Sequence, residues 1–293
     1  MAKKKQRKIN AKPFLAPPGK RVSIKDYDPG STGGLTKSAA LKILEVNSRR
    51  IAELQEILYA DGTRSMLAIF QGMDAAGKDS TIRRVMDCIN PMGIQVHSFK
   101  SPSAEELAHD YMWRCVRGLP ERGKIGVHNR SYYEETVVVR VHPEILKAQH
   151  LPDDLKDKDI WTRRFREIVN FERYLTDNGT VVLKFLLNVS KKKQGRRFLE
   201  RIDTPEKRWK FSLDDIAKRA LWSEYMRAYE EAISATSTKA APWYIVPSDN
   251  KWFTAALIST VIVSVLESMK LKYPTLSVGG DKRLATAKKQ LKK

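Results

Sequence analysis

The chain has 293 residues, 42% hydrophobic and 30% charged, which is enough apolar content for a core and too many charges for a mainly lipid-embedded chain. Its net charge of +20 is concentrated at the ends: residues 1–25 carry nine Lys/Arg and no acid, and residues 279–293 carry six Lys/Arg and one Asp. The two cysteines, Cys88 and Cys115, exclude a disulfide framework, and the longest apolar run, Ala256 to Leu266, is too short to cross a bilayer.

In chain order, residues 1–25 read as a basic flexible arm without the apolar segment of a secretory signal, so a cytoplasmic protein that does not enter a membrane is expected. Ser38 to Gly62 has apolar residues at helical spacing and ends on glycine, as a long amphipathic helix does. "SMLAIF" is a short apolar strand feeding a glycine loop, and "KDSTIRRVMDCIN" continues as a helix stopped by Pro91. Ile94 to Phe99 is the next strand, "SAEELAHDYMWRCVRGL" a helix, and Lys124 to Asn129 a third strand. "DIWTRRFREIVNFERYLTDNG" is a helix ending at Gly179, and "TVVLKFLLNV" is the most continuous apolar strand. A basic segment broken by Pro205 follows, then the helix "LDDIAKRALWSEYMRAYEEAISAT", the strand "PWYIVPS" and the helix "KWFTAALISTVIVSVLESMK". Strands alternating with helices imply a parallel five-stranded sheet in a three-layer α/β/α sandwich of nucleoside-kinase type. One domain should fill residues 26–275, with residues 276–293 as a basic tail.

Gly72, four residues, Gly77 and Lys78 outline a phosphate-binding loop in the strand–loop–helix setting that such a loop requires. Its backbone N–H groups, at Gly72, Ala75, Ala76 and Gly77, can curl around phosphate oxygens while the next helix aims its positive end at them. Lys78 would then reach the transferring group. The Ser or Thr that usually holds Mg²⁺ is replaced by Asp79, and Ser80 comes one step late. A carboxylate among phosphate-binding amides is unfavourable unless it faces a cation, which points Asp74 at Mg²⁺.

A second group of residues follows the third strand. Arg130 stands at its carboxyl end, where open α/β sheets place their chemistry, and its planar fork suits phosphate oxygens. Asn129 can position a phosphate or a metal-bound water without adding charge. Glu134 and Glu135 offer carboxylates one turn later, where a solvated helix start accounts for them equally well. From Lys191 to Lys210, nine of twenty residues are basic and three acidic, so residues 190–212 read as a helical lid closing over developing negative charge. Arg196 and Arg197 point about 100° apart on a helix, so only one should face the site, and the more central Arg197 is favoured. The five histidines show no metal-ligand spacing, and no nucleic-acid-binding module is recognisable.

Together, "GMDAAGKDSTIRRVMDCINPMG", "FKSPSAEELAHDYMWR", "HNRSYYEETVVVRVHPE", "RFLERIDTPEKRWKFS" and "STKAAPWYIVPSDNKWF" resemble the type-two polyphosphate kinases over about Lys20 to Lys272. The resemblance implies a thymidylate-kinase-like fold and reversible phosphoryl transfer between inorganic polyphosphate and adenine or guanine nucleotides. It also implies Mg²⁺, with Mn²⁺ as the alternative, a homo-oligomer (dimer or tetramer), and no specific nucleic-acid partner. Asp74 and Lys78 match the family's phosphate-loop pair, Asn129 and Arg130 its second-motif pair, and Arg197 a lid arginine. Asp74, Lys78, Arg130 and Arg197 are thus the expected catalytic groups, with Gly72, Asp74 to Ser80, Asn129 and Glu134 also around the phosphates and Glu135 beside Asp74 at the metal. Many members read Asp-Arg-Ser-Trp-Tyr-Asn where this chain reads Asn-Arg-Ser-Tyr-Tyr-Glu, which is similar to the subgroup taking AMP through ADP to ATP.

Overall fold

The computed structural model describes residues 9–275 and 280–292. Thr36 accepts a hydrogen bond from Ala39 N (3.3 Å) and opens α1 (Lys37–Asp61), which closes on a left-handed Gly62 at φ 63°. The chain continues through β1 (Ser65–Gln71), α2 (Lys78–Met86), β2 (Ile94–Ser98), α3 (Ala104–Leu107), α4 (Trp113–Arg117) and β3 (Ile125–Asn129). After α5 (Tyr133–Val141), α6 (Pro143–Ala148) and α7 (Ile160–Asp177) come β4 (Thr180–Asn188) and α8 (Lys191–Asp203). Then follow α9 (Leu213–Ala220), α10 (Trp222–Thr236), β5 (Trp243–Pro247), α11 (Lys251–Ser268) and α12 (Gly280–Gln290).

The five strands form one parallel sheet in the order β2-β3-β1-β4-β5. Every residue of the central β1 is buried, which explains its unbroken apolar run from Met66 to Phe70. One helical layer is α1, α2 and α11; the other is α5, α7 and α10. The expected α/β/α sandwich is therefore the observed one. Helix α11 is long and apolar enough to cross a membrane by length and composition, but it packs along α1. There Asn47 Nδ2 donates to the hydroxyls of Ser259 and Thr260, both at 3.0 Å. The strand order reverses at β1, and the crevice beyond its carboxyl end is where sheets of this kind hold ligands.

Three expectations need correction. The segment read as a flexible arm is, over residues 9–25, packed on the body: Phe14, Ala16, Val22 and Ile24 are buried, and Ala16 N donates to Trp243 O at 2.9 Å. Leu15 bridges Tyr244 in antiparallel sense and covers the β5 edge. Charge counting hid this because the lysines project outward while the apolar residues between them dock; residues 1–8 lie outside the described residues. The single helix expected over 103–119 is two short ones, α3 and α4, because Asp110 Oδ1 accepts from Met112 N (2.9 Å) and starts a new turn. The helix expected from Leu213 breaks at Leu221 into α9 and α10. Of the basic tail, residues 276–279 lie outside the described residues and Gly280–Gln290 is helical.

Within the second layer a fully buried ion pair fixes α5, the helix that begins just after Arg130. Lys184 on β4 donates to Glu172 Oε2 (2.5 Å), Tyr133 OH (3.1 Å) and Thr236 O (2.8 Å). The hydroxyls of Tyr132 and Tyr133 both donate to Glu172 Oε1. Losing either charge would strand the other in the core at a cost of about 3–5 kcal/mol.

Candidate active site

At the end of β1 the chain turns through a loop only certain residues can make. Gly72 has φ 146°, and a Cβ there would lie 2.9 Å from Leu187 O. Gly77, at φ 105°, delivers the chain into α2. Of the three non-glycine residues with left-handed backbone among the described residues, two stand here, Ala75 at φ 60° and Arg130 at φ 66°. Strain of this kind persists where the surroundings over-determine it, and here it marks both sides of one site. Arg130 N donates to Phe70 O (2.9 Å), which pins the end of β3 to β1.

Lys78 is buried, and its Nζ donates to the carbonyls of Gly72 (2.6 Å) and Met73 (3.3 Å). Burial, reinforced by the nearby charge of Arg130, pulls its pKa down to about 8. Asp74 Oδ1 receives Arg130 Nη2 at 2.6 Å, and its Oδ2 lies 3.7 Å from Lys218 Nζ. Burial would raise the Asp74 carboxyl, but Lys78, Arg130 and Lys218 together hold it below the ordinary aspartate value. Arg130 spans two acids, since its Nη1 also donates to Glu134 Oε2 at 2.9 Å. Asn129 Nδ2 donates to Asp79 Oδ1 (2.8 Å) and Ser98 Oγ (3.3 Å), cross-linking the end of β3 to the start of α2.

Arg197 occupies a different position from the one its lid location suggests. It is buried beneath the loop, its Nη1 donating to Ala75 O and Ala76 O (2.8 Å each) and its Nη2 to Ser248 O (2.5 Å). Gln194, one turn earlier on α8, donates to Asp74 O at 2.9 Å. These two side chains grip three consecutive loop carbonyls. In a trans peptide the N–H points opposite to the C=O, so the amides of Ala75 and Gly77 face away from α8. The Ala76 amide is not free for phosphate, because it donates to Met73 O at 3.0 Å.

Glu135 does not join Asp74. Neighbouring helix residues diverge by about 100°, so a Glu134 that faces Arg130 turns Glu135 toward α7. There it is buried and accepts from Arg164 Nε (3.2 Å) and Gln149 Nε2 (2.8 Å). Among the described residues no group of three or more His, Cys, Asp or Glu side chains could enclose a metal. Mg²⁺ does not need such a cage, since it usually takes one or two carboxylates and completes its shell with substrate phosphates and water. Asp74 fits that role, and Asn129 Oδ1, buried without a partner among the described residues, could accept from a metal-bound water.

Sequence reading placed a helix here but gave no role at the site to α9. It brings Lys218 to Asp74 and places Asp215 beside it; burial and then the charge of Asp74 raise the Asp215 carboxyl, while Arg201 pairs with it at 3.2 Å. The available signal was the Asp215–Lys218 spacing of three in "LDDIAKRA", one helical turn, directly after the lid.

Two cavities meet at Lys100 and Arg130. A cleft of about 640 Å³ runs over the loop and under the end of α8, lined by nine Lys/Arg and four Asp/Glu. The other, of about 540 Å³, lies along α5, with Lys100, Arg130 and Lys218 at one end and Val138, Val139, Ile145 and Leu151 among its apolar lining.

A parallel sandwich carrying a phosphate loop, a braced arginine–carboxylate network and a basic cleft defines a phosphoryl-transfer enzyme of the phosphate-loop kinase class. Residues 35–274 match the family described as Polyphosphate kinase 2. The chain is 46% identical over 98% of its length to the whole of the ADP-polyphosphate phosphotransferase of Rhodopseudomonas palustris. It is 43% identical to the AMP/ADP-polyphosphate phosphotransferase of Meiothermus ruber, over 92% of this chain and 98% of that one. The crystal structure of Polyphosphate Kinase 2 from Arthrobacter aurescens TC1 superposes with a TM-score of 0.82 at 35% identity, covering 93% of this chain and 98% of the other. The chain belongs to the polyphosphate kinase 2 family.

Proposed function

We propose that this protein transfers phosphoryl groups reversibly between inorganic polyphosphate and nucleotides, converting AMP to ADP and ADP to ATP. The observation that carries the reading is the pairing of cavities at Arg130: a cleft dominated by cations over the loop, and a second pocket with apolar walls. A phosphate chain fits the first, and a nucleotide fits the second.

The terminal phosphoryl group of the chain would sit over the loop, facing the amides of Ala75 and Gly77 and the amino end of α2. Lys78 would exchange its loop carbonyls for phosphate oxygens. An oxygen of the acceptor's last phosphate, held by Arg130, Lys100 and Lys218, attacks that phosphorus in line, and the bond to the next phosphate of the chain breaks. The shortened chain leaves with the bonding electron pair on its new terminal oxygen. Little covalent work falls to the protein in such a transfer; positioning and positive charge supply most of the acceleration. Asp74 would hold Mg²⁺, or Mn²⁺ in its place, which when bound neutralises phosphate charge. Asp74 and Glu134 together keep Arg130 pointed between donor and acceptor.

Incubation with polyphosphate, Mg²⁺ and AMP in the absence of ATP tests this directly. ADP should appear first and ATP after it. Phosphorylation of AMP with ATP as donor but none with polyphosphate would overturn the reading.

A further inference from the structure

Helix α9 has eight residues, and none of them is buried. Apolar burial therefore does not hold it over the site, and its place depends on polar contacts. These come from one face of the helix, since Lys218 and Arg219 follow Asp215 by three and four residues. Asp215 receives Arg201 of α8 at 3.2 Å, and Lys218 Nζ lies 3.7 Å from Asp74 Oδ2. Arg219 approaches more closely: its Nη1 donates to Lys191 O at 2.7 Å and to Gln194 Oε1 at 2.9 Å.

Gln194 is the next link. It is buried, and because its oxygen accepts from Arg219, its NH₂ must point the other way, where Nε2 donates to Asp74 O at 2.9 Å. The reversed amide would set NH₂ against a guanidinium and oxygen against a carbonyl, so Arg219 decides the orientation. The sequence makes room for it. A glycine inside a helix is destabilising relative to alanine, yet α8 carries Gly195, where a Cβ would stand only 3.3 Å from Arg219 Nη2. The guanidinium crosses α8 where that side chain is missing. Asp74 is thus tied to α9 at both ends, its carboxylate to Lys218 directly and its carbonyl to Arg219 through Gln194. Arg219 itself lines neither the cleft over the loop nor the pocket along α5.

We propose that Arg219 is a positioning residue for phosphoryl transfer: by orienting Gln194 it couples the seating of α9 to the geometry of the phosphate loop. Lys218 then reaches its place in the same step that fixes the Asp74 carbonyl. The kinetic consequence rests on the reaction proposed above; the coupling does not.

A double-mutant cycle of Arg219→Ala and Gln194→Met tests this, read once by kinetics and once by hydrogen exchange without substrates. Since no residue of α9 is buried, the variants should fold. Arg219→Ala should lower kcat about tenfold with AMP or ADP, the result of displaced groups, and leave the KM for polyphosphate unchanged. In the Gln194→Met background the same substitution should cost at most about twofold, because the link is already broken. Arg219→Lys should recover part of the loss, since an ammonium can reach one of the two acceptors. Peptides spanning residues 72–77 should exchange faster in each single mutant, and no faster in the double than in Gln194→Met. A merely structural role would give the same factor in both backgrounds. That result, an unchanged kcat in Arg219→Ala, or loop exchange in Arg219→Ala like that of the wild type would overturn the inference. A wild type that transfers nothing from polyphosphate would refute the reaction instead. Faster loop exchange in Arg219→Ala would then still support the coupling, and wild-type exchange would still overturn it.

Discussion

The two cavities that meet at Arg130 differ in what they can bury. The cleft over the loop offers nine cationic side chains against four acids, whereas the pocket along α5 adds Val138, Val139, Ile145 and Leu151 to its polar end. A chain of phosphates has no apolar face, so charge and amide donors alone can hold it, and charge held in water is screened by salt. A nucleotide brings a base that needs walls, and walls are indifferent to salt. Donor and acceptor should therefore respond differently to the same perturbation.

The groups at the junction belong to both cavities, and changing them should produce the largest losses. Lys78→Ala and Asp74→Asn should each lower kcat by about 10³-fold, with either AMP or ADP as acceptor, because each removes charge from the transferring group's surroundings. They should part in a titration with Mg²⁺. High Mg²⁺ should restore some activity to Asp74→Asn, whose lost charge belonged to a metal site, and none to Lys78→Ala. If Asp74→Asn keeps the wild-type Mg²⁺ dependence, the metal is held elsewhere and Asp215 is the next residue to change.

Arg197→Ala should cost about 10²-fold in kcat and also lower Tm, since it leaves the carbonyls of Ala75, Ala76 and Ser248 without their shared donor. Arg197→Lys should not rescue it, because a point charge cannot serve three carbonyls that a planar fork reaches together. A lower kcat at unchanged Tm would return Arg197 to direct contact with phosphate.

The case of Arg197 shows where sequence stops being informative. All five strands and the glycine loop could be read because their signals are local: short segments carrying apolar residues between turn signals, two glycines at fixed spacing and a helix directly after. Which residue occupies the rear of that loop depends on how α8 packs, and "RR" at 196–197 supplies the type of side chain without its direction. Glu135 misled for a related reason, since adjacent acids on a helix serve different neighbours and only the position of α7 decides which one turns inward. The buried pair of Lys184 and Glu172 did leave a trace, a lysine inside the most apolar strand. Its partner, twelve residues earlier, carries no mark of its own.

A smaller effect follows from the protonation of Lys78. With its pKa drawn down to about 8 from an ordinary lysine value of 10.5, the side chain loses its charge as pH rises through about 8. A polyanion binds the charged form, so kcat/KM for polyphosphate should fall above that pH, by at most tenfold per unit, and stay level below it. The profile belongs to the free enzyme; under saturating polyphosphate the bound phosphates stabilise the ammonium and move the fall to higher pH. A flat profile between pH 7 and 9.5 would show that Lys78 keeps its proton throughout.

The smallest effect tests the difference between the cavities most directly. Arg83 and Lys210 line the cleft at exposed positions and form no ion pair among the described residues, so each can add only about 0–1 kcal/mol to binding. Replacing both with Ala should raise the KM for polyphosphate several-fold at low salt and leave kcat and the KM for AMP where they were. At about 1 M salt, where the Debye length is about 3 Å, mutant and wild type should converge. An AMP affinity that falls in step with that for polyphosphate would mean that the two substrates share one field, and the division into a charged cleft and a walled pocket would fail.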